Sequence, residues 1–280
     1  MKKKELKDKV AIITGAGGGI GREIVKLFDQ KGIQLVLSDI NEISLKEVSE
    51  RLSRSPLIIR CDITDNQNVK NLISQTISKF NRIDLLINTV GIIIPALFED
   101  IGYEDIEKQI QVNLMGTIRC TKEAISVMKK SGGGNIVTIS SLAGIVPETY
   151  SSIYTASKFA LRGLNLTLNL ELKKYNITIS TIFPDSVDTP MLAYEAKHGG
   201  SPLTFLNDPI KPEIVAKKVL KAIIKNKPEI IIPRFTGILS KLIMCFPKRV
   251  LKMWKGFEEK GIKKKQEFIE NLERSDGEIN

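Results

Sequence analysis

The sequence predicts an α/β fold, a doubly wound sheet of seven parallel strands with helices on both faces. Three observations carry this. Seven short apolar runs rich in β-branched residues alternate with helical patterns along the chain. The runs are almost continuously hydrophobic, as strands covered on both faces must be. Strands separated by whole helices pair in parallel through right-handed crossovers, which places helices on both sides. At 280 residues the chain is long enough to bury a real core.

The first strand is Val10–Thr14. The run Thr14-Gly15-Ala16-Gly17-Gly18-Gly19-Ile20-Gly21 joins it to a helix near 19–31. Glycines allow a tight turn and close approach to a pyrophosphate. The helix beyond them aims its N–H groups and positive dipole end at the same place. The second strand, Gln34–Ser38, ends at Asp39. That acid lies 18 residues past Gly21, close to the ~20 expected of the residue that binds the adenosine ribose hydroxyls. A carboxylate there accepts from the 2′- and 3′-hydroxyls and repels a 2′-phosphate, so NAD is expected over NADP. Arg22, just past the glycines, reads as an exposed helix residue and is the main argument for NADP.

A helix near 43–53 and a strand at Leu57–Cys61 follow. Asp65 is a start signal for a helix at 66–80. The fourth strand is Asp84–Asn88. A long helical stretch at 103–129 contains Asn113, an unfavourable helix residue suited to a polar task. The fifth strand, Asn135–Ser140, leads into Ser141 at the ligand-binding edge of such sheets. The helix at 152–175 opens with Tyr154-Thr155-Ala156-Ser157-Lys158. Spacing of i and i+4 places Tyr154 and Lys158 on one face. A free phenol is a poor base at neutral pH, and a neighbouring ammonium lowers its pKa toward a working value. The sixth strand is Ile177–Phe183. Pro212 marks the start of a helix at 212–226, and the seventh strand is Glu229–Pro233.

With these motifs in order, residues 8–233 resemble the short-chain dehydrogenase/reductase family in its single-domain Rossmann branch. The matching positions are the loop Thr14 to Gly21, Asp62-Ile63, Asn88-Thr89-Val90-Gly91, Asn113, Ser141 thirteen residues before Tyr154, Lys158, and Val187-Asp188-Thr189. The resemblance implies a tetrad of Asn113, Ser141, Tyr154 and Lys158. Tyr154 is then the general acid/base. Lys158 lowers its pKa and binds the nicotinamide ribose, Ser141 holds the substrate oxygen, and Asn113 supports a water relay. It implies cofactor contacts from Thr14, Gly15, Gly17, Gly18, Gly19, Ile20, Gly21, Asp39, Asp62, Ile63, Asn88, Gly91, Tyr154, Lys158, Pro184, Val187 and Thr189. It also implies a homo-oligomer, dimer or tetramer, paired through the helices at 103–129 and 152–175. Three positions depart from the family pattern: Thr89-Val90 for Asn-Ala, Asp185 for the glycine after Pro184, and Pro233-Arg234 with a long tail.

Residues 1–233 thus form a dinucleotide-binding and catalytic domain, and 234–280 a basic helical extension. A mobile substrate cover is expected at about 191–209, contributing Met191, Leu192, Tyr194, Leu203, Phe205 and Leu206. Ile92, Ile93, Ile94 and Leu97 are expected at the pocket mouth. An apolar pocket with one reacting oxygen suits a hydrophobic secondary alcohol or ketone such as a steroid, retinoid or fatty chain.

The formal charge of +10 is uneven: ten cations stand against two acids across 234–265. Over 238–257, Leu239, Ile243, Phe246, Val250, Met253, Trp254 and Phe257 share one helical face, and Lys241, Lys248, Lys252 and Lys255 the other. Pro247 is expected to split this segment into two helices. Such a helix either lies on a membrane surface or packs on the domain or a partner subunit. Charge alone also fits nucleic acid, but no groove-reading motif accompanies it.

No run is long enough to span a bilayer and no apolar leader opens the chain, so a cytoplasmic protein is expected, with peripheral membrane contact as one option. Cys61, Cys120 and Cys245 read as small buried hydrophobes. One histidine, His198, and scattered cysteines suggest no metal site. Two functional classes stay open: an NAD-dependent dehydrogenase, with an NADP-dependent carbonyl reductase as its variant, and a cofactor-binding protein that docks through its tail.

Overall fold

The computed structural model describes residues 5–277. Seven strands make one sheet: β1 Val10–Thr14, β2 Gln34–Asp39, β3 Leu57–Arg60, β4 Leu85–Asn88, β5 Gly134–Ile139, β6 Ile177–Pro184 and β7 Glu229–Ile232. Their order is β3-β2-β1-β4-β5-β6-β7 and every pairing is parallel. The chain therefore winds outward from β1 to β3, returns to lay β4 beside β1, and winds to the other edge. That reversal leaves a crevice beyond the carboxyl ends of β1 and β4, where ligands bind in such sheets.

The helices are α1 Gly19–Asp29, α2 Glu42–Ser49, α3 Asn66–Phe80, α4 Tyr103–Ile110, α5 Thr117–Lys130, α6 Ser152–Leu172, α7 Pro190–Lys197, α8 Pro212–Lys225, α9 Arg234–Met244 and α10 Pro247–Gly277. They give the sheet two apolar layers. On one side Ile13 and Leu37 pack with Phe28 of α1 and Val219 of α8. On the other, Ile12 and Val36 pack with Leu72 of α3 and Ala124 of α5. Neighbours Ile12 and Ile13 face opposite layers, as strand geometry requires. This explains why the strand runs are continuously apolar. Asp65 caps α3 by accepting from the Gln67 and Asn68 N–H groups at 2.6 and 3.3 Å.

Two local expectations change. The stretch 103–129 is not one helix, because a π-helical turn, Gln111–Gly116, separates α4 from α5. Such turns insert one extra residue and re-aim side chains. The cover at 191–209 includes most of α7 and a 3₁₀ turn, Pro202–Phe205. Cys61 and Cys120 are buried as expected, but Cys245 is exposed, because it follows α9 on the outer surface.

The extension divides at Pro247 as expected. Its second helix returns across the cover. Phe268 and Ile269 of α10 pack on Leu192, Ala196 and Phe205, with the Phe205 and Phe268 rings 5.3 Å apart. Lys264 donates to the Leu206 carbonyl at 2.9 Å and Lys265 to that of Gly200 at 2.7 Å. Gly261 lets the two backbones meet: a Cβ there would lie 2.2 Å from the Pro202 carbonyl oxygen. Among the described residues no helix is long and apolar enough to cross a membrane.

Candidate active site

The glycine loop turns at Gly15, whose φ of +72° suits only glycine. A Cβ on Gly21 would sit 2.0 Å from the Gly15 carbonyl oxygen, so the helix can start against the turn only without one. Gly18 caps α1 with no side-chain bond, and the first turn carries no acid. The opening N–H groups thus face the crevice in a field that favours an anion. Asp39 is held at the same edge. It accepts from the Gly17 N–H at 3.1 Å and the Asn41 N–H at 3.0 Å.

Arg22 is tied away from this carboxylate. Its Nε donates to the Gly17 carbonyl at 2.7 Å and its Nη2 to Glu47 at 2.8 Å. The sheet brings another cation near. Arg60 is the register partner of Asp39 and donates to the Ile40 carbonyl at 3.2 Å. Sequence order hid it, since Arg60 arrives from the adjacent strand.

A cleft of about 470 Å³ runs from these residues. Gly15, Gly18, Gly19, Ile20, Gly21, Asp39, Asp62, Ile63, Gly91 and Thr189 line it. Asp62 is oriented by the Thr64 N–H and hydroxyl, at 2.8 and 2.7 Å to one carboxylate oxygen. The cleft, the open helix end and the fixed Asp39 together fit a dinucleotide. Pro184 and Val187 line a deeper pocket. Thr14, Gly17 and Asn88 line neither. Thr14 is buried in β1, Gly17 acts through the N–H that holds Asp39, and Asn88 donates to Thr121 of α5 at 3.1 Å. Thr89, a departure from the family pattern, ties β4 to the glycine loop by donating to the Thr14 carbonyl at 2.7 Å.

The deeper pocket, about 110 Å³, gathers Ser141, Tyr154 and Lys158. The first turn of α6 presents Tyr154 and Lys158 together, with the ammonium nitrogen 5.1 Å from the phenol ring centroid. Ser141 hydrogen-bonds the phenol and accepts from the Ala143 N–H at 3.1 Å. Asn113 sits in the π turn and clasps the Ile92 backbone, accepting from its N–H and donating to its carbonyl, both at 2.8 Å. A Cβ on Gly91 would lie 3.2 Å from Lys158 Nζ and 3.5 Å from Asn113 Oδ1. Gly91 is thus the seam between these two side chains.

The electrostatics differ from the sequence expectation of a phenol brought down by its lysine. Burial pushes the Tyr154 phenol up, nearby Glu148 and Glu195 add to this, and only the Ser141 hydrogen bond pulls it down. Burial lowers Lys158 to about 8. The physical reason is enclosure: both groups lose water, and Glu148 and Glu195 add negative charge around the phenol.

As a cluster those acids went unnoticed in the sequence. Glu148, Asp185 and Glu195 all line the deeper pocket. Burial drives all three carboxyls up, Glu195 to about 7. Asp185 was visible as a departure after Pro184. Glu148 and Glu195 had no motif around them. The expected apolar wall is present but shallower: Ile92, Ile93, Ile94, Met191 and Tyr194 line an open groove of about 300 Å³. Phe205, expected in the pocket, is turned onto α10.

Comparison with known proteins follows this geometry. A family model described as short chain dehydrogenase matches residues 9–199. An uncharacterised oxidoreductase of Staphylococcus epidermidis is 30% identical over 187 residues, 67% of this chain and 81% of the relative. L-fucose dehydrogenase of Bos taurus is 33% identical over 184 residues, 65% of this chain and 67% of the relative. Among solved structures, a Burkholderia phymatum short chain dehydrogenase/reductase in complex with NAD superposes with TM-score 0.78 at 23% identity, covering 85% of this chain and 93% of that one. A Brucella melitensis 3-ketoacyl-(acyl-carrier-protein) reductase complexed with NADH gives 0.75 at 24%, covering 81% and 97%.

Proposed function

The chain belongs to the short-chain dehydrogenase family, and from that premise we propose that it is an NAD-dependent oxidoreductase acting on a hydrophobic secondary alcohol or its ketone. The observation that carries the reading is one pocket, adjoining a dinucleotide-sized cleft, that holds Ser141, Tyr154 and Lys158. The phosphates would rest on the start of α1, the adenosine ribose on Asp39 and the adenine beside Asp62 and Ile63. When bound, the nicotinamide supplies the hydride donor or acceptor.

The protein's own groups manage the proton. Ser141 holds the substrate oxygen beside Tyr154. In reduction the Tyr154 phenol donates its proton to the developing alkoxide, and in oxidation the phenolate takes the alcohol proton. Lys158, one helical turn on, offsets the negative charge while the phenol is deprotonated. Asn113 fixes the Ile92 backbone at the pocket wall. The groove of Ile92, Ile93, Ile94, Met191 and Tyr194 receives the apolar body of the substrate.

NAD is preferred because Asp39 faces the cleft while Arg22 is held by Gly17 and Glu47. Arg60 beside Asp39 is the feature that favours NADP. Turnover measured with either cofactor on a panel of lipophilic secondary alcohols tests this. At least tenfold better use of NAD is expected, with the preference reduced in Asp39→Ser. Equal or better use of NADP by the native protein refutes the cofactor assignment.

A second reading concerns the extension. Phe235, Ile238, Leu239 and Leu242 lie exposed along α9, Phe246 is exposed just after it, and Met253 and Phe257 of α10 are exposed too. Lys248, Lys252 and Lys255 are exposed. Lys241 is instead paired with Glu229, and the Val250 side chain lies outside the described residues. An apolar stripe with lysines suits the surface of an anionic bilayer. Co-sedimentation of the full chain with anionic vesicles is expected to fall sharply in a Phe235→Ser, Leu242→Ser, Phe246→Ser triple variant. Unchanged pelleting removes this reading.

A further inference from the structure

We propose that the substrate carries an ammonium group close to its reacting carbinol or carbonyl carbon, bound by Glu148, Asp185 and Glu195. This rests on the reading of Tyr154 as the proton-exchanging group and deepens it by naming the substrate class: amino alcohols and amino ketones with an apolar arm.

Three carboxylates converge from three separate elements. Glu148 comes from the loop before α6, Asp185 follows β6 directly, and Glu195 stands on α7. All three border the cavity that holds Tyr154. Glu148 is close enough to feel the charges of the other two, and Glu148 and Glu195 both act on the phenol.

Their partners are mostly neutral. Glu195 accepts from the Thr204 hydroxyl at 2.7 Å. Asp185 accepts from Asn207 at 2.9 Å and from the Ser186 N–H at 3.0 Å. Glu148 is half-buried and lines the pocket. Among the described residues it has no hydrogen-bond or ion-pair partner. Loss of water raises its carboxyl, and like charges facing it add to the cost of ionising it.

Neither nearby cation pairs with Glu148. Lys158 stands over the Tyr154 ring. Lys265 faces Glu195 from α10 and offsets part of its charge while donating to the Gly200 carbonyl at 2.7 Å. A cation delivered by the ligand would neutralise the cluster, and Glu148 is the acid left open to receive it. A purely hydrophobic substrate would leave these carboxyls facing hydrocarbon. The apolar arm instead has its own place in the groove of Ile92, Ile93, Ile94, Met191 and Tyr194.

Two compounds of nearly the same shape test this with NAD and the full chain. 2-Amino-1-phenylethanol and 1-phenyl-1-propanol differ by an ammonium in place of a methyl. The amine is expected to be oxidised with at least tenfold higher kcat/KM, and Glu148→Gln and Glu195→Gln are each expected to cut that ratio severalfold. Calorimetry with 2-phenylethylamine and 2-phenylethanol reads binding without turnover. The amine is expected to bind at least tenfold tighter at pH 7. Two buffers of different ionisation heat are expected to reveal proton release, because a raised Glu148 must ionise to pair with the amine.

Equal use of both alcohols, equal binding of both probes, or preference for a neutral polyol such as L-fucose overturns the proposal. Amine-selective binding with no turnover of any alcohol or ketone leaves it standing and overturns the oxidoreductase reading instead.

Discussion

Tyr154 and Lys158 were legible because their spacing is a property of any helix, but their protonation was not. A sequence shows that the ammonium lies one turn from the phenol. It does not show that burial pushes the phenol up, nor that Glu148 and Glu195 arrive from elsewhere and add to this. Arg60 and Glu148 escaped notice for the same reason, since each acts on a neighbour brought in by another element. The charges have a consequence for pH. Reduction needs the phenol protonated and Lys158 charged. Lys158, lowered to about 8, is an ammonium below that pH and loses its charge above it. The reductive kcat/KM is therefore expected to stay level up to about pH 8 and fall above it, in a pH–rate profile at fixed NADH. A profile level to pH 10 would mean that Lys158 keeps an ordinary pKa.

Among the elements, every strand was readable from continuous apolar runs, because both faces of each are covered. The π turn around Asn113 was not, since one extra residue in a turn barely disturbs the hydrophobic pattern. Nor did periodicity reveal which side of the tail helices would be covered. Phe268 and Ile269 found the cover, whereas the apolar residues of α9 remained at the surface. The contact of α10 with the 3₁₀ turn depends on Gly261. Gly261→Leu places side-chain atoms where the Pro202 backbone now lies. Overpacking of this kind costs about 1–3 kcal/mol. Thermal denaturation is expected to show a lowered midpoint, and substrate KM is expected to rise with the loosened cover. A variant with the native midpoint and KM would mean that α10 does not brace this region.

The whole molecule owes its site to strand order: the reversal between β1 and β4 creates the crevice, and the glycine loop and Gly91 both open onto it. Strand–helix alternation made that legible. Surfaces for other subunits were not, because exposure appears only after folding. Tyr103 of α4 and Leu166 and Leu170 of α6 are exposed, Leu170 at 81%, on the helices expected to pair in a homo-oligomer. Leu170→Glu is expected to shift the mass in light scattering toward monomer; an unchanged mass would place the contact elsewhere. The central claim is that one phenol in one pocket exchanges the proton for the whole reaction. Tyr154→Phe tests it most directly, measured as single-substrate turnover beside calorimetric binding of NAD. Turnover is expected to fall by about 10²–10⁴, the range for loss of a general acid/base, with NAD affinity retained. Turnover within tenfold of the native protein would contradict the account.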